Sequence, residues 1–233
     1  MSAATDDVAP AEVLRRGLAR QGLAVCEAAQ ARLMAYLDLL GRWNRVYNLT
    51  AVRDPVECVI RHLLDSLAVL PYVRGPRLLD VGSGAGLPGI PLAIALSDSM
   101  PDLEVVLLDS NAKKTRFLTQ ALAELGLTNA RVVRCRVEDY HPAQLFDTVI
   151  SRAFAALDAF VTAAAPLCRQ GGRLLAMKGP LAPRETVGGG HRVVAIHPLR
   201  VPGLEGARCL VEIEPAVPGG DRASSRASSR ASP

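Results

Sequence analysis

Residues 77–91 read RLLDVGSGAGLPGIP. Leu78, Leu79 and Val81 are apolar and suit a short buried strand. Gly82, Gly84 and Gly86 then alternate, and the apolar run Ile90 to Leu96 has helical length. Strand, glycine turn and helix in that order open a nucleotide-cofactor domain. Glycine reaches positive φ freely and lets backbone lie against a ligand. Pro88 suits the first turn of the new helix, where a missing N–H costs nothing.

The run Gly84-x-Gly86-x-x-Gly89 also satisfies the dinucleotide pattern, so that pattern alone does not select the cofactor. Asp80 stands immediately before the glycines. A carboxylate there would repel a pyrophosphate and attract a cation. S-adenosylmethionine carries a sulfonium and an amine and no phosphate, so it fits Asp80-x-Gly82-x-Gly84-x-Gly86 better than a dinucleotide does. A dehydrogenase remains the alternative from another class, and a tight turn without a ligand is the plain structural one.

The 233 residues suffice for one α/β domain with a small extension, and 49% apolar content supports a sizeable core. No run of 18 apolar residues exists, and the acidic N-terminus does not read as a signal peptide. Five scattered cysteines with no metal spacing point to a reduced, cytoplasmic protein with no metal site. The net charge of +4 is too mild for a general nucleic-acid coat, but it allows an RNA recognised at one patch. Residues 1–60 balance seven basic against seven acidic side chains.

Outward from the glycine turn, the chain alternates strands and helices. Strands are expected at 78–81, 104–109, 131–134, 146–151 and 173–177, with two more at 192–197 and 208–213. Asn111 reads as a helix cap and Gly126 as a helix stop. Repeated βα units imply parallel strands with helices on both faces. Upstream, 10–22 and 28–43 read as two helices packed on the core, with Leu33, Leu37 and Leu40 at helical spacing. Asp54-Pro55 starts another helix, on which His62 and Asp65 share a face. From the residues alone these two read as a surface pair. Three divisions follow: 1–60 a helical extension, 61–215 the cofactor domain and 216–233 a disordered basic tail repeating RASS.

Ligands of an open parallel sheet bind outside the carboxyl ends of its strands. Those ends supply Asp80 to Leu87, then Asp109, then Val137 and Glu138, then Arg152 and Phe154, then Lys178. Asp109 is placed to accept hydrogen bonds from a ribose diol. Val137 and Glu138 are placed to meet an adenine ring. Ser151-Arg152-Ala153-Phe154 stands where adenine-amino methyltransferases place an Asp/Asn-Pro-Pro-aromatic segment, which argues against methylation of an amine.

The segments YNLTAVRDPVE, RHLLDSL, LLDVGSGAGLPGIPLA, LLDSNAKKTRFL, RVED, FDTVISRAFA and GGRLLAMKG together resemble the RsmG (GidB) family, bacterial small-subunit rRNA guanine-N7 methyltransferases. The likeness covers about residues 44 to 180 and fades beyond. It implies the Rossmann-like seven-stranded S-adenosylmethionine-dependent methyltransferase fold with the last strand antiparallel. It implies 16S rRNA or the small ribosomal subunit as partner, and a monomer is expected. By resemblance, Gly82 and Leu87 line the methionine end of the cofactor, Asp109 the ribose, Val137 and Glu138 the adenine, and Arg152 the same pocket. Asn48, His62 and Asp65 become active-site wall. Given the guanine substrate that the resemblance implies, Phe154 reads equally as a base-stacking ring or as core, and Arg152 or Lys178 as a partner of guanine O6 or phosphate. No catalytic acid or base is expected, because guanine N7 has no proton to lose. A small-molecule methyltransferase and a non-catalytic cofactor-binding protein are the remaining alternatives. The family tends to place His after the last-strand Arg, where this chain has Arg208-Cys209.

Overall fold

The computed structural model describes residues 8–152, 154, 156–180 and 187–216. The RASS repeats, Ala153 and part of the loop 179–191 lie outside them. Seven strands form one sheet: β1 (Arg77–Val81), β2 (Glu104–Leu108), β3 (Ala130–Val133), β4 (Phe146–Ser151), β5 (Cys168–Lys178), β6 (Arg192–Pro198) and β7 (Cys209–Glu214). Their order is β3-β2-β1-β4-β5-β7-β6. The first five run parallel, and β7 is antiparallel to both β5 and β6. Strand β5 starts earlier than the sequence suggested, because Gly171 and Gly172 continue it instead of turning into it.

Side chains alternate across the sheet as the strand period requires. Leu78, Val105, Leu107, Ile150 and Leu175 face one hydrophobic cluster. Leu79, Val106, Leu108, Val149 and Leu174 face the other. The first is covered by α1 (Pro10–Gln21), α2 (Glu27–Tyr47), α5 (Gly89–Leu96) and α6 (Ala112–Glu124), the second by α7 (Leu157–Ala164). Helix α6 starts where expected: Asn111 Oδ1 accepts from the backbone of Lys113 and Lys114. Its cap satisfies two N–H groups that a helix start otherwise leaves open.

Helix α2 buries Leu33, Tyr36, Leu37, Leu40 and Asn44 and ends at Asn48 in the left-handed region, φ 49°. It belongs to the same core as the sheet, as the packed-helix reading expected. Helix α3 (Pro55–Cys58) is capped by Asp54, whose carboxylate accepts from the Glu57 N–H at 2.8 Å, with Pro55 in its first turn. It widens into a π-helical segment, Val59–Leu64, and closes with α4 (Asp65–Leu67). The sequence boundary at 60/61 falls inside this continuous run. π-Segments recur at functional sites because they re-aim side chains that a regular helix would spread. Here His62 and Asp65 point inward and are 3% and 6% exposed, so the surface-pair reading does not hold.

Candidate active site

Two cavities open at the carboxyl ends of the parallel strands. The first, about 390 Å³, is lined by Val81, Gly82, Asp109, Lys114, Val137, Glu138 and Phe154, among others. Gly82 and Gly84 have φ of +70° and +62°, and a Cβ built on Gly82 would meet nothing within 4 Å. The Gly82 backbone therefore faces open space, whereas a Cβ on Gly84 would touch the Gly82 carbonyl and the Lys114 ammonium. Gly86, by contrast, would drive a Cβ to 2.5 Å from Ile90, so its missing side chain serves packing between the turn and the helices. Asp109 is 6% exposed. Its Oδ2 accepts from Gly84 N–H at 2.9 Å and its Oδ1 from Asn111 N–H at 2.8 Å. Each carboxylate oxygen has two lone pairs, so one on each remains for a ligand hydroxyl. Lys114 Nζ stands 3.8 Å from the same carboxylate.

Of the residues assigned to the cofactor side, Gly84 and Gly86 sit in the turn without lining the first cavity, and Asp80, Leu87 and Arg152 lie elsewhere. Asp80 is fully buried, drawn inward by two donors: Ser83 Oγ–H at 2.6 Å and Gly89 N–H at 3.0 Å. It organises the glycine turn from behind and does not line the first cavity. Burial pushes its carboxyl up to about 6, against the pull of those two hydrogen bonds. Leu87 is 6% exposed and packs in the core cluster with Ile90. Arg152 lines the second cavity instead, because its Nη1 donates to Arg61 O at 2.9 Å and to Asp65 Oδ2 at 3.3 Å.

Among the described residues, the second cavity, about 460 Å³, sets four basic side chains, Arg61, Arg152, Lys178 and Arg208, against one carboxylate, Asp65. Burial raises the Asp65 pKa, and Arg152 and Arg208 act against that rise. Arg208 Nε stands 3.7 Å from Asp65 Oδ1. His62 Nε2 pairs with Thr50 Oγ1 at 3.0 Å. Thr50 is itself held by buried Asn44, whose Oδ1 accepts the Thr50 N–H at 2.9 Å. Burial, reinforced by Arg152, lowers the His62 pKa to about 4, so its ring is neutral near pH 7.

His62, Asp65 and Lys178 line this cavity together, while Asn48 and Phe154 do not join them. Asn48 is exposed and terminates α2, and its Oδ1 accepts from Arg53 Nη2 at 3.4 Å. Thr50, two residues on, takes the place expected of it. Phe154 lines the first cavity, its ring 5.5 Å from that of Phe160. Arg152 and Phe154, two residues apart just after β4, line the second and the first cavity respectively. Sequence reasoning missed Arg61, Arg208 and Tyr36. Tyr36 O–H donates to Ala85 O at 2.6 Å and ties α2 to the glycine turn. Arg61 directly precedes His62 and could have been inferred from that, whereas Arg208 carries no local signal.

The family model for GidB, rRNA small subunit methyltransferase G, matches residues 29–208. The chain belongs to that family. The match runs past residue 180, where the motif likeness faded, and takes in Arg208. A ribosomal RNA small subunit methyltransferase G of Alkalilimnicola ehrlichii is 54% identical over 210 residues, 89% of this chain and 93% of that protein. One from Aromatoleum aromaticum is 53% identical over 208 residues, 88% and 98% of the two chains. Among solved structures, an S-adenosylmethionine-dependent methyltransferase from Aquifex aeolicus aligns with a TM-score of 0.53 at 17% identity, covering 70% of this chain and 94% of that one. The glycopeptide N-methyltransferase MtfA, complexed with S-adenosyl-L-homocysteine, aligns at 0.51 and 13%, covering 66% and 86%. At such identities the likeness is one of fold. Among the described residues, no group of three or more His, Cys, Asp or Glu could hold a metal ion, and no helix is long and apolar enough to cross a membrane.

Proposed function

We propose that the protein transfers a methyl group from S-adenosylmethionine to N7 of a guanine in 16S rRNA of the small ribosomal subunit. The observation that carries this reading is the pairing of two unlike cavities at the end of β4: one with an open glycine backbone and a buried carboxylate, the other cationic. The first cavity fits the methyl donor. Gly82 leaves open space that a side chain would fill, and Asp109 retains a lone pair on each oxygen for a ribose diol. Val137 and Glu138 would border the adenine, and Phe154 would close the same side. Asp80 would act through the turn that it holds.

When bound, S-adenosylmethionine supplies an electrophilic methyl group whose leaving group is a neutral thioether. Guanine N7 offers a lone pair and carries no proton, so the protein has no proton to remove there. Catalysis then rests on positioning and electrostatics, and good alignment alone is worth ~7–11 kcal/mol. Arg61, Arg152, Lys178 and Arg208 would hold phosphate or guanine O6. The methylated ring becomes cationic, and Asp65 is the carboxylate that would stabilise it. Neutral His62 adds no charge to oppose that product.

Isothermal titration with S-adenosylmethionine and with NAD, followed by transfer of labelled methyl groups to unmethylated 16S rRNA, tests the reading. Binding of the methyl donor alone and labelling of the RNA are expected. Binding of NAD, or donor binding without RNA labelling, would overturn it.

A further inference from the structure

A third cavity, about 440 Å³, lies between α2 and α3. Its floor is apolar, formed by Met34, Leu37 and Leu40, and its rim carries Arg42, Arg45 and Arg53 against Asp38. Arg42 pairs with Glu124 at 3.0 Å. Among the described residues, Arg45 and Arg53 take part in no ion pair, and Arg53 donates only to the neutral Asn48 amide. The balanced charge of residues 1–60 therefore conceals a local surplus of arginine.

Two features connect this cleft to the RNA side of the site. Thr50 and Val52 line both the cleft and the cationic cavity, so one short segment of chain separates them. Gly41 sits in the body of α2, where glycine weakens a helix, yet a Cβ built on it would meet nothing within 4 Å. No packing contact requires glycine there, and the space it leaves belongs to the cleft.

We infer that the α2–α3 cleft is a second RNA subsite, which takes a nucleotide flanking the target guanine. Its apolar floor and the gap at Gly41 would receive a base, and Arg45 and Arg53 would hold the adjoining phosphates. RNA suits this cleft better than a protein segment does, because Thr50 and Val52 join it to the cavity proposed to hold rRNA, and the arginine fork matches phosphate oxygens. The inference rests on the rRNA reading above.

The test uses full-length chains carrying Arg45→Ala, Arg53→Ala or Gly41→Leu and unmethylated small-subunit particles. Particle affinity is measured across a salt series, with S-adenosylmethionine affinity and melting temperature as controls. Each arginine variant should bind about tenfold more weakly and reduce the slope of log K against log salt by about 1. Gly41→Leu should melt no lower than wild type and still bind particles more weakly, an outcome that a purely structural glycine would not give. Wild-type affinity and slope in the arginine variants would overturn the subsite. So would weaker binding at an unchanged slope, which points to a ribosomal protein, or unchanged particle binding by Gly41→Leu. Failure of the wild type to methylate rRNA would instead remove the reading beneath it.

Discussion

The first cavity and the second are built in opposite ways. The first draws on short runs that follow strand ends: 81–82, 108–110, 135–138 and Phe154. A parallel sheet brings such ends together whatever the rest of the chain does. The second gathers Thr50 to Val52, Arg61 to Asp65, Arg152, Lys178 and Arg208 from five separated segments. On the proposed reading, donor binding thus follows from the sheet, whereas the substrate face depends on a π-segment, a turn after α2 and the return of β7. The two faces should therefore fail separately when mutated.

The largest expected effect is on the first face. Asp109→Ala removes the acceptor proposed for a ribose diol, and hydrogen bonds to a charged group are worth ~1.5–3 kcal/mol each. Titration calorimetry should show S-adenosylmethionine binding at least ~100-fold weaker, with particle affinity unchanged. Loss of both would break the comparison.

Next come two opposed pH effects, one from behind each face. His62 has its pKa lowered to about 4 from 6.5, so the unfolded chain takes up the proton first as pH falls. Its contribution to stability is lost as pH falls from about 6.5 towards 4. Asp80 has its pKa raised to about 6 from 3.8, so its contribution is lost as pH rises through that range. Each amounts to roughly 2–3 kcal/mol. Relative to wild type, His62→Asn should gain stability as pH falls through this window and Asp80→Asn should lose it. Urea midpoints between pH 4 and 7 measure both, and slopes of the same sign would contradict the two assignments.

Arg152→Ala should lower kcat/KM for RNA by ~10–100-fold, as loss of one charged contact implies. S-adenosylmethionine affinity should stay within about twofold, and a larger loss would return Arg152 to the cofactor side. The smallest effect tests what joins the faces. Tyr36→Phe leaves the Ala85 carbonyl without its buried donor and should cost ~1 kcal/mol of unfolding free energy. Equal stability in thermal melts would remove α2 as a support of the glycine turn.

Legibility followed the same division. Short apolar runs and helix caps such as Asp54 and Asn111 carried the sheet and helices, because those signals are local. The glycines separated only in three dimensions: Gly82 faces open space while Gly86 packs against Ile90. Asp80 showed its position in sequence but not its direction, which Ser83 and Gly89 set by hydrogen bonding. Arg208 and Thr50 were illegible as site residues because Asp65 is remote in sequence from Arg208, and His62, the partner of Thr50, lies within an unpredicted π-segment.

The most direct test of the central claim is nucleoside mass spectrometry of 16S rRNA from unmethylated small subunits after incubation with the protein and S-adenosylmethionine. One added 7-methylguanosine is predicted. A methyl group on guanine N1 or N2, on a ribose or on another base, or none at all, would contradict the account.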